Sequence, residues 1–182
     1  WSQVLSEKLN LDEEDQNVVA VDLLKMDYLK GVTFIHGDIQ KDEIIEKISE
    51  ALDFEKADIV CSDAVPEFVG EKYVDHISAC NLNYVVLNMM NKTLKPGGNA
   101  LVKVMRGPWI DEVVDAFLAR FKNVQKVKPS ASRSESNEMY LLANGFEQSQ
   151  HEFAKKVRKA KQEVQSLKTI EDLENYEKSI ND

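Results

Sequence analysis

At 182 residues, 43% of them hydrophobic, the chain has material for one well-buried core and little more. Its net charge of -9 excludes coating nucleic acid by bulk charge and leaves a local basic patch as the only electrostatic route to RNA or DNA. No run reaches the roughly 18 to 20 apolar residues of a membrane span and no charged-then-apolar segment opens the chain, while Cys61 and Cys80 lack the CxxC or Cys/His spacing that holds zinc, so a soluble protein in a reducing compartment, without a structural metal, is expected.

In chain order, "WSQVLSEKL" has the spacing of a short amphipathic helix with Val4, Leu5 and Leu9 on one side. "NVVAVD" is a continuous apolar run of the buried-strand kind, and "VTFIHGD" predicts a second strand. "KDEIIEKISEAL" predicts a helix with Ile44, Ile45, Ile48 and Leu52 on one face, and "ADIVCSD" a third strand. A loop over residues 64–75 leads into "HISACNLNYVVLNMMNKTL", a long helix that "KPGG" should stop, because proline and paired glycines cannot continue it. The strand "NALVKVMRG", the helix "WIDEVVDAFLARF", the strand "NVQKVKP" and a last strand "NEMYLLANGF" follow. Such alternation calls for an open α/β sheet flanked by helices. From Glu147 onward the chain has no Gly or Pro, is dense in Lys and Glu, and keeps a sparse apolar series at Phe153, Val157, Val164 and Leu167. That pattern predicts a helical tail, packed on the domain by a thin stripe or serving as a partner-binding arm.

In open parallel sheets the ligand site lies at the carboxyl ends of the strands. Three predicted strands end on an acid, at Asp22, Asp38 and Asp63. A carboxylate there can accept both hydroxyls of a ribose, so the pattern suits a nucleoside ligand. Any one of the three reads equally well as a turn former or helix cap; three on successive strands of one sheet weigh toward a site. Lys103 interrupts the apolar strand "ALVKVM", where a charge is costly to bury unless something uses it, although a lysine facing an edge would read the same way. Glu138 opens the last strand. If that strand runs antiparallel to the others, Glu138 faces Asp63 and Lys103, and a lysine between carboxylates is oriented and kept charged.

These residues carry a resemblance. "VVAVDLLKMD", "HGDIQ", "CSDAVP", "LKPGGNALVKV" and "KPSASRSESNEMYLLANGF" are similar, in order and spacing, to the FtsJ/RrmJ-like ribose 2'-O-methyltransferases, from Trp1 to about Phe146. The resemblance implies a Rossmann-like sheet with helices on both faces, S-adenosylmethionine as cofactor, and a Lys-Asp-Lys-Glu tetrad whose last three members are Asp63, Lys103 and Glu138. It implies further that Asp22 holds the cofactor ribose, Asp38 the adenine region and Asp63 the methionine end, with Trp1, Leu23 and Ile39 beside them. Family members carry the first tetrad lysine, a buried strand and a Gly-rich loop ahead of "WSQ". Residues 1–146 are therefore expected to be a methyltransferase domain without that strand and loop, and residues 147–182 a helical extension. Glu67 stands where bacterial relatives commonly carry Asn, which puts an acid near the site.

The substrate implied is a ribose, with a uridine favoured, in large-subunit ribosomal RNA or its assembly particle. A transfer-RNA enzyme of the same family and a catalytically silent ribosome-assembly factor are the alternatives; a small-molecule methyltransferase would have no need of Lys103 with Glu138. Lys122, Lys126, Lys128 and Arg133, with Arg106, are candidates for an RNA-binding edge or for ordinary surface charge. A monomer is expected, and likeness to organellar members points to the mitochondrion, with cytoplasm or nucleolus as the other settings.

Overall fold

β-Strand alternation is clearest in the middle of the chain. In β4 (Leu94–Met105) Ala100, Val102 and Val104 are buried while Leu101, Lys103 and Met105 face the other way, and β6 (Glu138–Phe146) buries Met139, Leu141, Ala143 and Phe146 against Tyr140 and Leu142 on its opposite face. The computed structural model that shows this describes residues 1–12, 17–130 and 136–147. The helical tail expected from residue 147 lies, beyond Glu147 itself, outside the described residues, as does Arg133.

The remaining elements are α1 (Ser2–Lys8), β1 (Val18–Asp22), β2 (Val32–His36), α2 (Asp42–Ala51), β3 (Ala57–Ser62), α3 (Lys72–Thr93), α4 (Ile110–Leu118) and β5 (Phe121–Val127). β3, β4, β6 and β5 form a four-stranded sheet in that order, with β3 parallel to β4 and β6 antiparallel to both β4 and β5. One face of this sheet packs on α3 and α4. Leu87 and Met90 of α3, Val113 and Phe117 of α4, and Val102 and Leu141 of the strands are fully buried there. The opposite face carries Lys103, Glu138 and Tyr140, with the indole of Trp1 edge-on to Tyr140 at 6.1 Å.

β1 and β2 pair only with each other, in parallel. The single open sheet expected from the sequence is thus divided into two among the described residues. Between β1 and β3 lies a cavity of about 680 Å³, lined by Val18 to Asp22 on one side and by Ala57 and Ile59 to Asp63 on the other. Side chains of α1 (Leu5), α2 (Ile48) and α3 (Val86, Met89) also line it.

Two boundaries and one helix face differ from expectation. α3 begins at Lys72, where Asp75 accepts the amides of Val69 and Gly70 and so ties the preceding loop to the first turn. The "KPGG" segment ends α3 as expected but is itself the start of β4: Leu94 pairs with Ala57, and the register shifts before Asn99 pairs with Ile59. Gly97, at φ +81, supplies the left-handed residue this irregularity needs, and a side chain at Gly98 would meet the Asp58 carbonyl oxygen at 3.0 Å. In α1, Leu5 and Leu9 face the cavity, but Val4 and Leu9 are about half exposed, so the predicted apolar side is not a packed one.

Candidate functional site

Strand register brings the lysine and its partners together. Lys103 of β4 stands directly opposite Tyr140 of β6, and Met105 opposite Glu138, so Tyr140 and Glu138 project on the same face beside the lysine. On the other edge Ser62 of β3 pairs with Val102, which puts Asp63, the next residue, level with Lys103. The ammonium lies 2.7 Å from Asp63 Oδ1 and 3.6 Å from Glu138 Oε1. The Tyr140 hydroxyl donates to the same Asp63 Oδ1 at 2.9 Å. Behind the strand, Asn83 of α3 donates to the Lys103 carbonyl at 2.9 Å and fixes the backbone from which the side chain departs.

The Lys103 side chain is only 14% exposed, whereas those of Asp63 and Glu138 are 50% and 44% exposed. Burial alone would pull the lysine's pKa down; the hydrogen bond and charge of Asp63, with the charge of Glu138 and, once it is ionised, of Tyr140, more than reverse it, and the pKa stands above the ordinary lysine value. Burial, followed by the bond to Asp63, also holds the Tyr140 phenol above its ordinary value. Neither cysteine is a ready nucleophile: burial raises Cys61, and burial with the charge of Glu112 pushes Cys80 up to about 12.

Asp63 and Trp1 belong to two places at once. Both line the cavity between β1 and β3, and both touch the lysine cluster, Asp63 through Lys103 and Trp1 through Tyr140. Asp22 and Ile39 line the cavity as well, whereas Leu23 and Asp38 do not. Leu23 is 65% exposed and its carbonyl accepts from His36 Nε2 at 2.8 Å. Asp22 Oδ1 accepts the Leu24 amide at 2.8 Å and Asp38 Oδ1 the Gln40 amide at 2.9 Å, so each also closes a turn after its strand. The amide of Gly37 donates to the Asp22 carbonyl at 2.9 Å and joins the two turns.

The basic residues are more dispersed than a single binding edge. Lys122, Lys126 and Lys128 lie at alternate positions along β5 and just past it, and Lys128, bonded to the Ser136 carbonyl at 3.1 Å, lies at the Glu138 end. Lys122 is at the far end, 3.9 Å from Glu147, and Lys126 is paired with Asp111 at 2.6 Å. Arg106 follows β4 and its amide donates to the Asn137 carbonyl at 2.8 Å.

The sequence model of the FtsJ-like methyltransferase family matches residues 1–146, ending where β6 ends. The chain belongs to that family. Among its FtsJ-like relatives, proteins named ribosomal RNA large subunit methyltransferase E from Chromohalobacter salexigens and Legionella pneumophila (strain Corby) are each 39% identical over 146 residues. The alignments cover 80% of this chain and 68% and 69% of those proteins. A crystal structure from Plasmodium falciparum, described as that of a candidate ribosomal RNA methyltransferase, superposes with a TM-score of 0.67 at 28% identity, covering 79% of this chain and 78% of that one.

As an FtsJ-like methyltransferase the chain has an α/β fold, and the residue its sequence reading passed over is Tyr140. It stands two positions after Glu138, hence on the same strand face, and that spacing was the available signal.

Proposed function

We propose that the protein transfers a methyl group from S-adenosylmethionine to a ribose 2'-hydroxyl, in a uridine by preference, of large-subunit ribosomal RNA. The observation that carries this reading is the position of Asp63, which joins a cavity at the ends of β1 and β3 to a lysine held at 2.7 Å. The names of the relatives, ribosomal RNA large subunit methyltransferase E, support the class of RNA.

The cavity's chemistry suits the cofactor. Asp22 at one strand end offers carboxylate oxygen to a ribose diol, Trp1 and Ile39 offer apolar surface, and Asp63 sets a negative charge by the cationic end. Part of the same space runs between β1 and β3 along their lengths. We read that part as the seat of a further strand in the active enzyme, because both strands lack a partner on that side among the described residues and helices line the gap.

When bound, the cofactor supplies a methyl group on a positively charged sulfur. Lys103 would bind the ribose hydroxyl and, in its neutral form, accept the proton that the hydroxyl gives up on methylation, becoming an ammonium. Asp63 and Glu138 fix the lysine's direction and stabilise the ammonium that forms. Holding the hydroxyl oxygen in line with the methyl to be transferred would supply most of the rate.

The test is transfer of labelled methyl to large-subunit ribosomal RNA, free and in assembly particles, by the full-length protein and its Lys103→Ala variant. Label on a ribose 2'-oxygen that falls at least about a thousandfold in the variant is expected. Label on transfer RNA instead would move the substrate, and neither cofactor binding nor transfer to any RNA would end the enzymatic reading.

A further inference from the structure

Tyr140 has no part in the proton transfer just described, yet its hydroxyl is seated on the atom that controls it. Asp63 Oδ1 accepts two donors, the Tyr140 hydroxyl at 2.9 Å and the Lys103 ammonium at 2.7 Å. A neutral donor on a carboxylate oxygen draws off part of the charge which that oxygen presents to a neighbouring cation. We propose that Tyr140 is a positioning residue that limits how tightly Asp63 holds the proton of Lys103, and so enlarges the share of the lysine that is neutral and able to accept a proton. The kinetic side of this inference rests on the methyl-transfer reading; the proton balance itself does not.

The geometry makes the arrangement fixed. Tyr140 is the direct cross-strand neighbour of Lys103 on β6, and its ring is braced edge-on by Trp1 at 6.1 Å. Its phenol is held above the ordinary value by burial and by Asp63, so it stays a donor wherever the enzyme works. Among the described residues the charged and titratable groups that face Lys103 are Asp63 at the end of β3 and Glu138 and Tyr140 on β6; from α3 the contact is the neutral amide of Asn83, on the backbone. Both acids act to keep Lys103 protonated, and its pKa is raised in consequence. Among these groups the tyrosine hydroxyl, while protonated, is the one that weakens that hold. Glu138, at 3.6 Å, is too far to share the same oxygen and acts through charge alone.

Tyr140→Phe removes the hydroxyl and keeps the ring that Trp1 packs against. Two measurements on the full-length protein test the inference. The first is competitive acylation of lysines at neutral pH, read by mass spectrometry, with exposed Lys122 as internal standard. Labelling of Lys103 relative to Lys122 should fall about threefold or more in the variant, because less of it is neutral. The second is the pH profile of kcat/KM for methyl transfer, which should drop about threefold to tenfold on the acid side and converge on the parent at higher pH. A merely structural tyrosine would lower the profile evenly at all pH values and leave relative labelling unchanged, and either result overturns the proposal. A parent protein that transfers no methyl would end the reading it rests on, while the labelling ratio would still decide whether Tyr140 governs the lysine.

Discussion

The two sheets of this molecule differ more than their sequences suggest. β4 and β6 are flanked by strands on both edges and by α3 and α4 on one face, and Ala100, Val102, Leu141 and Ala143 have no exposed surface. β1 reads as equally apolar, yet only Val18 is buried and Val19 to Val21 are half-buried, while β2 buries no residue. The difference lies in the neighbours: β1 has one paired edge, and its other side opens on the cavity. The proton-handling side chains stand on the packed half and Asp22 on the open one. On the function proposed, the chemistry is anchored on the packed half and cofactor binding on the half with an open side.

The sharpest break of that comparison comes from the packed half. Lys103→Ala should reduce methyl transfer at least about a thousandfold while leaving the melting temperature within a few degrees of the parent, since the side chain faces away from the core. Leu141→Ala should cost about 2 to 5 kcal/mol in denaturant unfolding, because the side chain is fully buried among α3, α4 and β4. Val19→Ala on β1 should cost roughly 1 kcal/mol or less by the same measurement, for it lies in a strand half-buried at that point. Equal costs would mean that the two halves are packed alike.

The open half should respond to ligand. Asp22→Ala removes a cavity-lining carboxylate and the acceptor of the Leu24 amide, and on the function proposed is expected to weaken S-adenosylmethionine binding about tenfold to a hundredfold by calorimetry. Unaltered affinity would confine Asp22 to its turn. The last of these effects is the dependence on pH. Because Asp63 and Glu138 hold the Lys103 pKa above its ordinary value against the pull of burial, the neutral amine is a minor species at neutral pH. Its share grows about tenfold per pH unit, so kcat/KM should climb with pH toward that raised pKa. A lysine that only orients the hydroxyl as an ammonium would give a flat profile that falls at high pH.

How far the sequence could be read depended on the kind of signal. Lys103 showed as a charge in an apolar strand and Glu138 as the acid opening the last one, and the antiparallel course of β6, on which their meeting was conditional, sets them together. The core positions Ile44, Ile45 and Ile48 of α2 followed from helical spacing. Tyr140 did not announce itself, since an aromatic residue in an apolar strand reads as core until the register shows it opposite a lysine. "KPGG" was misleading for the opposite reason: Pro and Gly are strong punctuation, and a bulged strand start made of them looks like a loop. The acids were legible only in part. Asp22 and Asp63 line the cavity, but Asp38 closes a turn outside it, and no local pattern separates those two uses of a carboxylate. Lys122, Lys126 and Lys128 showed as a basic run, while their pairing with Glu147, Asp111 and the Ser136 carbonyl depends on contacts between separate elements.

The most direct test of the central claim is a map of ribose 2'-O-methylation across ribosomal RNA in cells lacking the protein, complemented with either the parent or the Lys103→Ala variant. One large-subunit ribose methylated with the parent, and unmethylated both without the protein and with the variant, is the predicted result. Full methylation at every large-subunit site in the absence of the protein, or restoration of the missing one by Lys103→Ala, would contradict it.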